Sequence, residues 1–172
     1  PPEGAHPRLL DEILPRVRDR LANWWEFGEQ EHPCLLATLP RENAPPIPTT
    51  EDLTRFWTDV DFIVERKMAE LAATEYLGVA VPHHYVDQGS SAMAGVLGCP
   101  MEYIDRETVW AHPALSCVEE VTEVTLAPEN PVYARIRAIT EASVRRAPRH
   151  HLVAPFALEG MTDLMAALYG LE

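Results

Sequence analysis

Two adjacent imidazoles, His83 and His84, stand beside Tyr85, Asp87 and Gln88 in the stretch from Gly78 to Gly98, GVAVPHHYVDQGSSAMAGVLG. Imidazole titrates near neutrality, so either histidine can move a proton or hold a metal through a ring nitrogen. Neighbouring residues on a strand point to opposite faces, so a regular strand offers one of the pair to a site and packs or solvates the other. Asp87 can orient an imidazole, or open the turn at Gly89. Arg41 and Glu42 follow a short apolar run, where the guanidinium can clamp a substrate carboxylate or form a surface ion pair with its neighbour. Glu159 lies just past another apolar run, placed to face a ligand or to start a helix. The candidate catalytic residues are therefore His83, His84 and Asp87. The candidate substrate-binding residues are Arg41, Glu42, Tyr85 and Glu159. No metal ligand set is assigned, and zinc held by His83 or His84 with Cys99 is the one alternative. His150-His151 opens a strand at the face opposite the expected site and reads as structural.

The elements that must position these groups follow from periodicity and punctuation. Gly78-Val79-Ala80-Val81 reads as a short buried strand releasing the histidines at its carboxyl end, and Ala92 to Leu97 as a small helix stopped at Gly98. Cys34 to Leu39, bounded by Pro33 and Pro40, is the first expected strand, and His151 to Ala157 the third. Helical spacing covers Arg8 to Glu29, where Pro15 is expected to divide the helix, and a long helix that opens after Thr49 runs to about Ala73. Thr49 and Asp52 resemble a capping box. Thr108 to Trp110 and Val121 to Leu126 are the strand candidates of an otherwise irregular stretch. Asn130-Pro131 predicts an N-cap and first turn for a helix to about Ala147, burying Val132, Ile136, Ile139 and Ser143 or Val144, with Arg135 solvated. Met161 to Tyr169 is the last helix, ended by Gly170. Strands alternating with helices imply parallel pairing. The Arg41, His83–Asp87 and Glu159 loops would then share one mouth.

Composition bounds the rest. The chain has 172 residues, 47% hydrophobic and 24% charged, which are the proportions of one globular domain. Its formal net charge of −13 repels nucleic acid phosphates and anionic lipid, so neither is an expected partner. Cys34, Cys99 and Cys117 make no CxxC and suit free thiols in the cytoplasm. No apolar run approaches the roughly 18 residues of a membrane span. Residues 1–7, rich in Pro, read as loose, and Trp24-Trp25 as packing. No glycine-rich phosphate cradle follows any expected strand.

The order and spacing of CLLATLPREN, YLGVAVPHHYVDQGSSAMAGVLGCP, ETVWAHPAL, APENPVYARIRAIT and HHLVAPFALEGMTDLMAALYG resemble the uroporphyrinogen decarboxylase superfamily. The resemblance runs from about residue 20 and implies an α/β fold, a partial (β/α)8 TIM-barrel of about three parallel strands corresponding to the amino-terminal half of the family's barrel. It implies a lyase-type decarboxylation of a carboxylated small molecule, or corrinoid-dependent methyl transfer, with zinc or a corrinoid as the associated cofactor. By the same resemblance Arg41 falls where the decarboxylase places substrate-binding arginines. His83 or His84 falls near its essential aspartate, and VAVPHHYV has no aspartate before Asp87. A (β/α)8 barrel takes about 250 residues to close. The resemblance therefore also implies a homo-oligomer, or a carboxyl-terminal partner chain, and leaves open a non-catalytic subunit that completes a barrel.

Overall fold

In a computed structural model, the structure describes residues 9–146 and 149–170. The expectations for residues 1–7 and for the helix end at Ala147 lie outside them. The chain is a mixed α/β protein that divides into two compact units, the first built from Pro1–Pro48, Glu65–His84 and Ser143–Ala154, the second from Thr49–Val64, Tyr85–Ala142 and Pro155–Glu172.

The first unit opens with α1, Leu9–Trp25, a single helix that accommodates Pro15 rather than breaking there. After it, Arg20 donates to the carbonyls of His32 and Pro33 at 3.1 and 2.9 Å, which fixes the approach to β1, Leu36–Pro40. β1 pairs antiparallel with β2, Thr74–Gly78, in the register Leu36↔Gly78 to Pro40↔Thr74. This corrects the expected strand order. The second strand is TEYLG, and Gly78-Val79-Ala80-Val81 is where the chain leaves the sheet. Gly78 takes φ +64, and a Cβ there would lie 2.0 Å from the Leu35 carbonyl oxygen, so only glycine makes this exit. Val79 still donates to the Leu35 carbonyl at 2.8 Å, and Val79 and Ala80 stay buried. Pro82 has no N–H for a ladder, and extended pairing resumes at β3, His83–Tyr85. β3 pairs in parallel with β6, Leu152–Ala154, and the Leu152 N–H bonds the Pro82 carbonyl at 3.0 Å. Among the described residues each sheet has two strands, so β1 does not join β3 and β6 in one parallel sheet.

The second unit begins with α2, Leu53–Thr58, whose N-cap Asp52 accepts from the Arg55 N–H at 3.0 Å. The long helix expected here is two helices, because Asp59 interrupts it. Asp59 takes an extended conformation, donates its N–H to the Arg55 carbonyl, and offers its carboxylate to the Phe62 N–H. It thereby ends α2 and starts α3, Val60–Ala72. Trp57 is buried, stacks on Tyr103 with ring centroids 6.2 Å apart, and donates Nε1–H to the Asp105 carbonyl at 2.8 Å. α4, Ala92–Val96, ends before Gly98 at φ +108. β4, Met101–Tyr103, pairs antiparallel with β5, Val109–Ala111. The expected strand at Val121 to Leu126 is instead a 3₁₀ helix over Val118–Glu123, followed by irregular chain. α5, Pro131–Arg146, carries the predicted cap: Asn130 Oδ1 accepts from the Val132 and Tyr133 N–H groups at 2.9 and 3.0 Å. α6, Met161–Tyr169, ends at Gly170. The core of this unit gathers Ala94, Cys99, Ala111 and Leu168.

Candidate functional site

β3 alternates as its backbone requires, with His83 exposed and His84 buried. His83 Nδ1 lies 3.1 Å from the Val81 carbonyl oxygen, a local contact of an exposed side chain. His84 is 2% exposed, and its Nδ1 lies 2.8 Å from Ser143 Oγ. The same hydroxyl lies 2.8 Å from His151 Nε2. Ser143 comes from the carboxyl end of α5, and His151 immediately precedes β6. Three side chains separated by 59 and 8 residues along the chain thus form one buried polar row in the first unit. Ser143 is fully buried and His151 is 6% exposed.

Burial governs the charge of both rings. It pushes His84 down to about 4, assisted by the positive charge of Lys67, and Glu70 opposes the shift. His151 is also lowered, chiefly by burial and then by His150. Lys67, the single lysine of the chain, pairs with Glu70 at 2.6 Å, and Arg66 reaches the other oxygen of that carboxylate at 2.9 Å. At neutral pH both buried imidazoles are therefore uncharged.

Arg41 follows directly on β1. Its backbone N–H bonds the Ala73 carbonyl at 2.8 Å, and Nη2 approaches the Thr74 carbonyl at 3.4 Å. It borders a groove of about 690 Å³ in the first unit, whose other walls include Leu39, Pro45, Ile47 and Glu70. Among the described residues no ion pair joins Arg41 to Glu42, which is exposed. The arrangement leaves a cation at the rim of an apolar groove, which suits an acid with an apolar body.

The remaining candidates belong to the second unit. Tyr85 is exposed. Asp87 Oδ1 accepts from the Gly89 N–H at 2.8 Å, so the turn accounts for that carboxylate. Glu159 Oε1 accepts from the Met93 N–H at 3.1 Å, in the first turn of α4, and burial raises its pKa. Gln88, buried, gives Nε2–H to the Asp87 carbonyl and accepts from Arg135 Nε, so Arg135 is half-buried and tethered rather than solvated. A cleft of about 560 Å³ lies between Ser91, Trp110, Pro113 and Tyr169 in the same unit, and contains none of the candidates.

The seven candidates therefore fall into two sets. Arg41, Glu42, His83 and His84 belong to the first unit, and Tyr85, Asp87 and Glu159 to the second. Sequence reasoning missed Ser143 and His151 as partners of His84. The available signal was a serine on the buried stripe of α5, since a buried hydroxyl requires a hydrogen-bond partner. Among the described residues no group of three or more His, Cys, Asp or Glu side chains can hold a metal ion, so zinc finds no ligand set there. Cys34, Cys99 and Cys117 are free thiols, and among the described residues no helix is long and apolar enough to cross a membrane. Comparison of the chain with protein-family models, curated proteins and solved structures returned no match.

Proposed function

We propose that this chain is a uroporphyrinogen decarboxylase-like α/β protein of the cytoplasm, part of a (β/α)8 barrel, acting on a small carboxylated substrate. The observation that carries the reading is His84, buried and uncharged on a strand that pairs in parallel with β6. Buried groups with strongly shifted pKa values concentrate at catalytic sites. Arg41 would anchor a carboxylate at the rim of its groove, as a half-buried guanidinium with a carbonyl as its recorded side-chain partner can do. In the reaction the bond from carbon to the departing carboxylate breaks and CO2 leaves. The electron pair stays on the substrate, which then takes a proton from solvent or a general acid. Where the substrate carries a carbonyl conjugated to that carbon, the electron pair delocalises onto its oxygen, and a neutral imidazole N–H assists by hydrogen-bonding it.

The test is CO2 release from a panel of aromatic and pyrrole carboxylic acids, with the wild-type chain and with Arg41→Ala and His84→Gln. Turnover is expected, with a loss of about 10²–10³-fold in His84→Gln, the scale of removing one donor to developing charge. Absence of CO2 from every acid, with the protein folded and supplied with a carboxyl-terminal barrel half, rejects the reading.

A second reading, a non-catalytic subunit that docks a partner chain, draws on β1. All five of its residues are exposed, with Leu36 70% and Leu39 51% accessible. Apolar strand surface of this kind on a short sheet favours pairing with another chain or a second copy. The two readings differ in whether turnover appears once the partner is present.

A further inference from the structure

We infer that Ser143 and His151 are positioning residues that hold His84 as the tautomer protonated on Nε2, a hydrogen-bond donor with no lone pair left for a metal or for proton abstraction. The inference deepens the decarboxylase reading only in the use made of that donor; the tautomer itself rests on geometry.

The Ser143 hydroxyl has one proton and stands 2.8 Å from His84 Nδ1 and 2.8 Å from His151 Nε2. It donates to one ring and accepts from the N–H of the other, so the row runs in one of two directions. If His84 Nδ1–H donates to the hydroxyl, the hydroxyl donates to His151 Nε2, and the His151 proton must sit on Nδ1. That nitrogen is buried and, among the described residues, has no hydrogen-bond partner. A buried N–H without an acceptor is the costlier orphan, since a buried lone pair is tolerated better. In the opposite direction His151 Nε2–H donates to Ser143, and Ser143 donates to His84 Nδ1. His151 Nδ1 is then a lone pair, and His84 carries its proton on Nε2. His84 Nε2 is not among the buried nitrogens that lack a partner.

Charging either ring puts a proton on the orphan His151 Nδ1. An imidazolium at His84 would turn the hydroxyl toward His151 and again force a proton onto the orphan Nδ1. The titratable groups that face His84 are Lys67, His151 and His83, which oppose its protonation, and Glu70, which favours it; His151 in turn feels His150. The row thus works as a chain of donors ending at His84 Nε2–H. In the proposed reaction that N–H is a donor to a substrate carbonyl oxygen conjugated to the carbon that loses CO2, and it neither abstracts a proton nor ligates zinc.

The test is long-range ¹⁵N–¹H correlation on the full chain with ¹⁵N-labelled histidine at pH 7, which separates the two tautomers by their nitrogen shifts. Wild type is expected to show His84 and His151 both as the Nε2–H form. Ser143→Ala is expected to lose the single His84 pattern in favour of a mixture, and Ser143→Thr, which keeps the hydroxyl, to restore it. A role of Ser143 in packing alone would leave the His84 tautomer unchanged in Ser143→Ala, and that result overturns the inference. So does an Nδ1–H pattern on either histidine in the wild type, a readout that needs no variant to fold. Zinc added to the wild type is expected to leave the His84 resonances in place, and a shift of them overturns the inference too. An Nε2–H pattern in a chain that releases no CO2 supports the tautomer and rejects the decarboxylase reading, so the two failures are told apart.

Discussion

The His84 imidazole shows how one residue ties protonation to folding. Its value in the folded chain, about 4, lies below the 6.5 of the exposed group. The unfolded chain therefore binds more protons between those values, and stability rises with pH through that window. The contribution is fully present above about pH 6.5 and is lost as pH falls toward 4, with His151 adding in the same direction. Urea unfolding across pH 7 to 3.5 should show the free energy declining over this range and levelling below it, and His84→Gln should flatten the decline. Ser143→Ala strands two buried imidazole nitrogens and should cost about 1–3 kcal/mol at pH 7 in the same assay. At this scale the sequence was partly legible. Strand alternation assigned one histidine to the interior and one to the surface, and the identity of the buried one was open. The partners of His84 were not legible, because Ser143 is 59 residues away and only chain crossing brings it near.

Elements were legible where their signals are local. Asn130 before Pro131 and the glycines at 98 and 170 marked the start of α5 and the ends of α4 and α6. Asn130→Ala should cost about 1 kcal/mol from the cap alone. The cost should exceed that of a simple cap because Asn130 Nδ2 also donates to the Gly95 carbonyl at 3.0 Å. Asp59 was misread because its apolar neighbours keep helical spacing on both sides, and its cap bonds end one helix while starting the next. β2 was misread for a related reason. Tyr76-Leu77 is less apolar than Val79-Ala80-Val81, yet Tyr76-Leu77 has the partner strand. Gly78→Ala tests this exit: its left-handed φ alone should cost about 1–2 kcal/mol. The clash with the Leu35 carbonyl should add to it, read as a lowered urea midpoint.

For the whole chain, the exposed Leu35, Leu36 and Leu39 around β1, with Trp25 and Phe27, make association the expected solution behaviour. Size-exclusion chromatography with light scattering at micromolar concentration should give a mass above the monomer, and Leu36→Lys with Leu39→Lys should return it to the monomer. A monomer in the wild type, alone and with a carboxyl-terminal barrel half, removes the partner-dependent readings. The amino-acid sequence by itself determined the α/β class, the cap at Asn130 and the stops at Gly98 and Gly170, because each follows from propensity or spacing within a few residues. Tertiary structure alone decided which strands pair, and in which direction, and that His84, Ser143 and His151 form one row. Those outcomes depend on which distant backbone groups meet, and pairing energy between strands is set by the partner as much as by the strand itself.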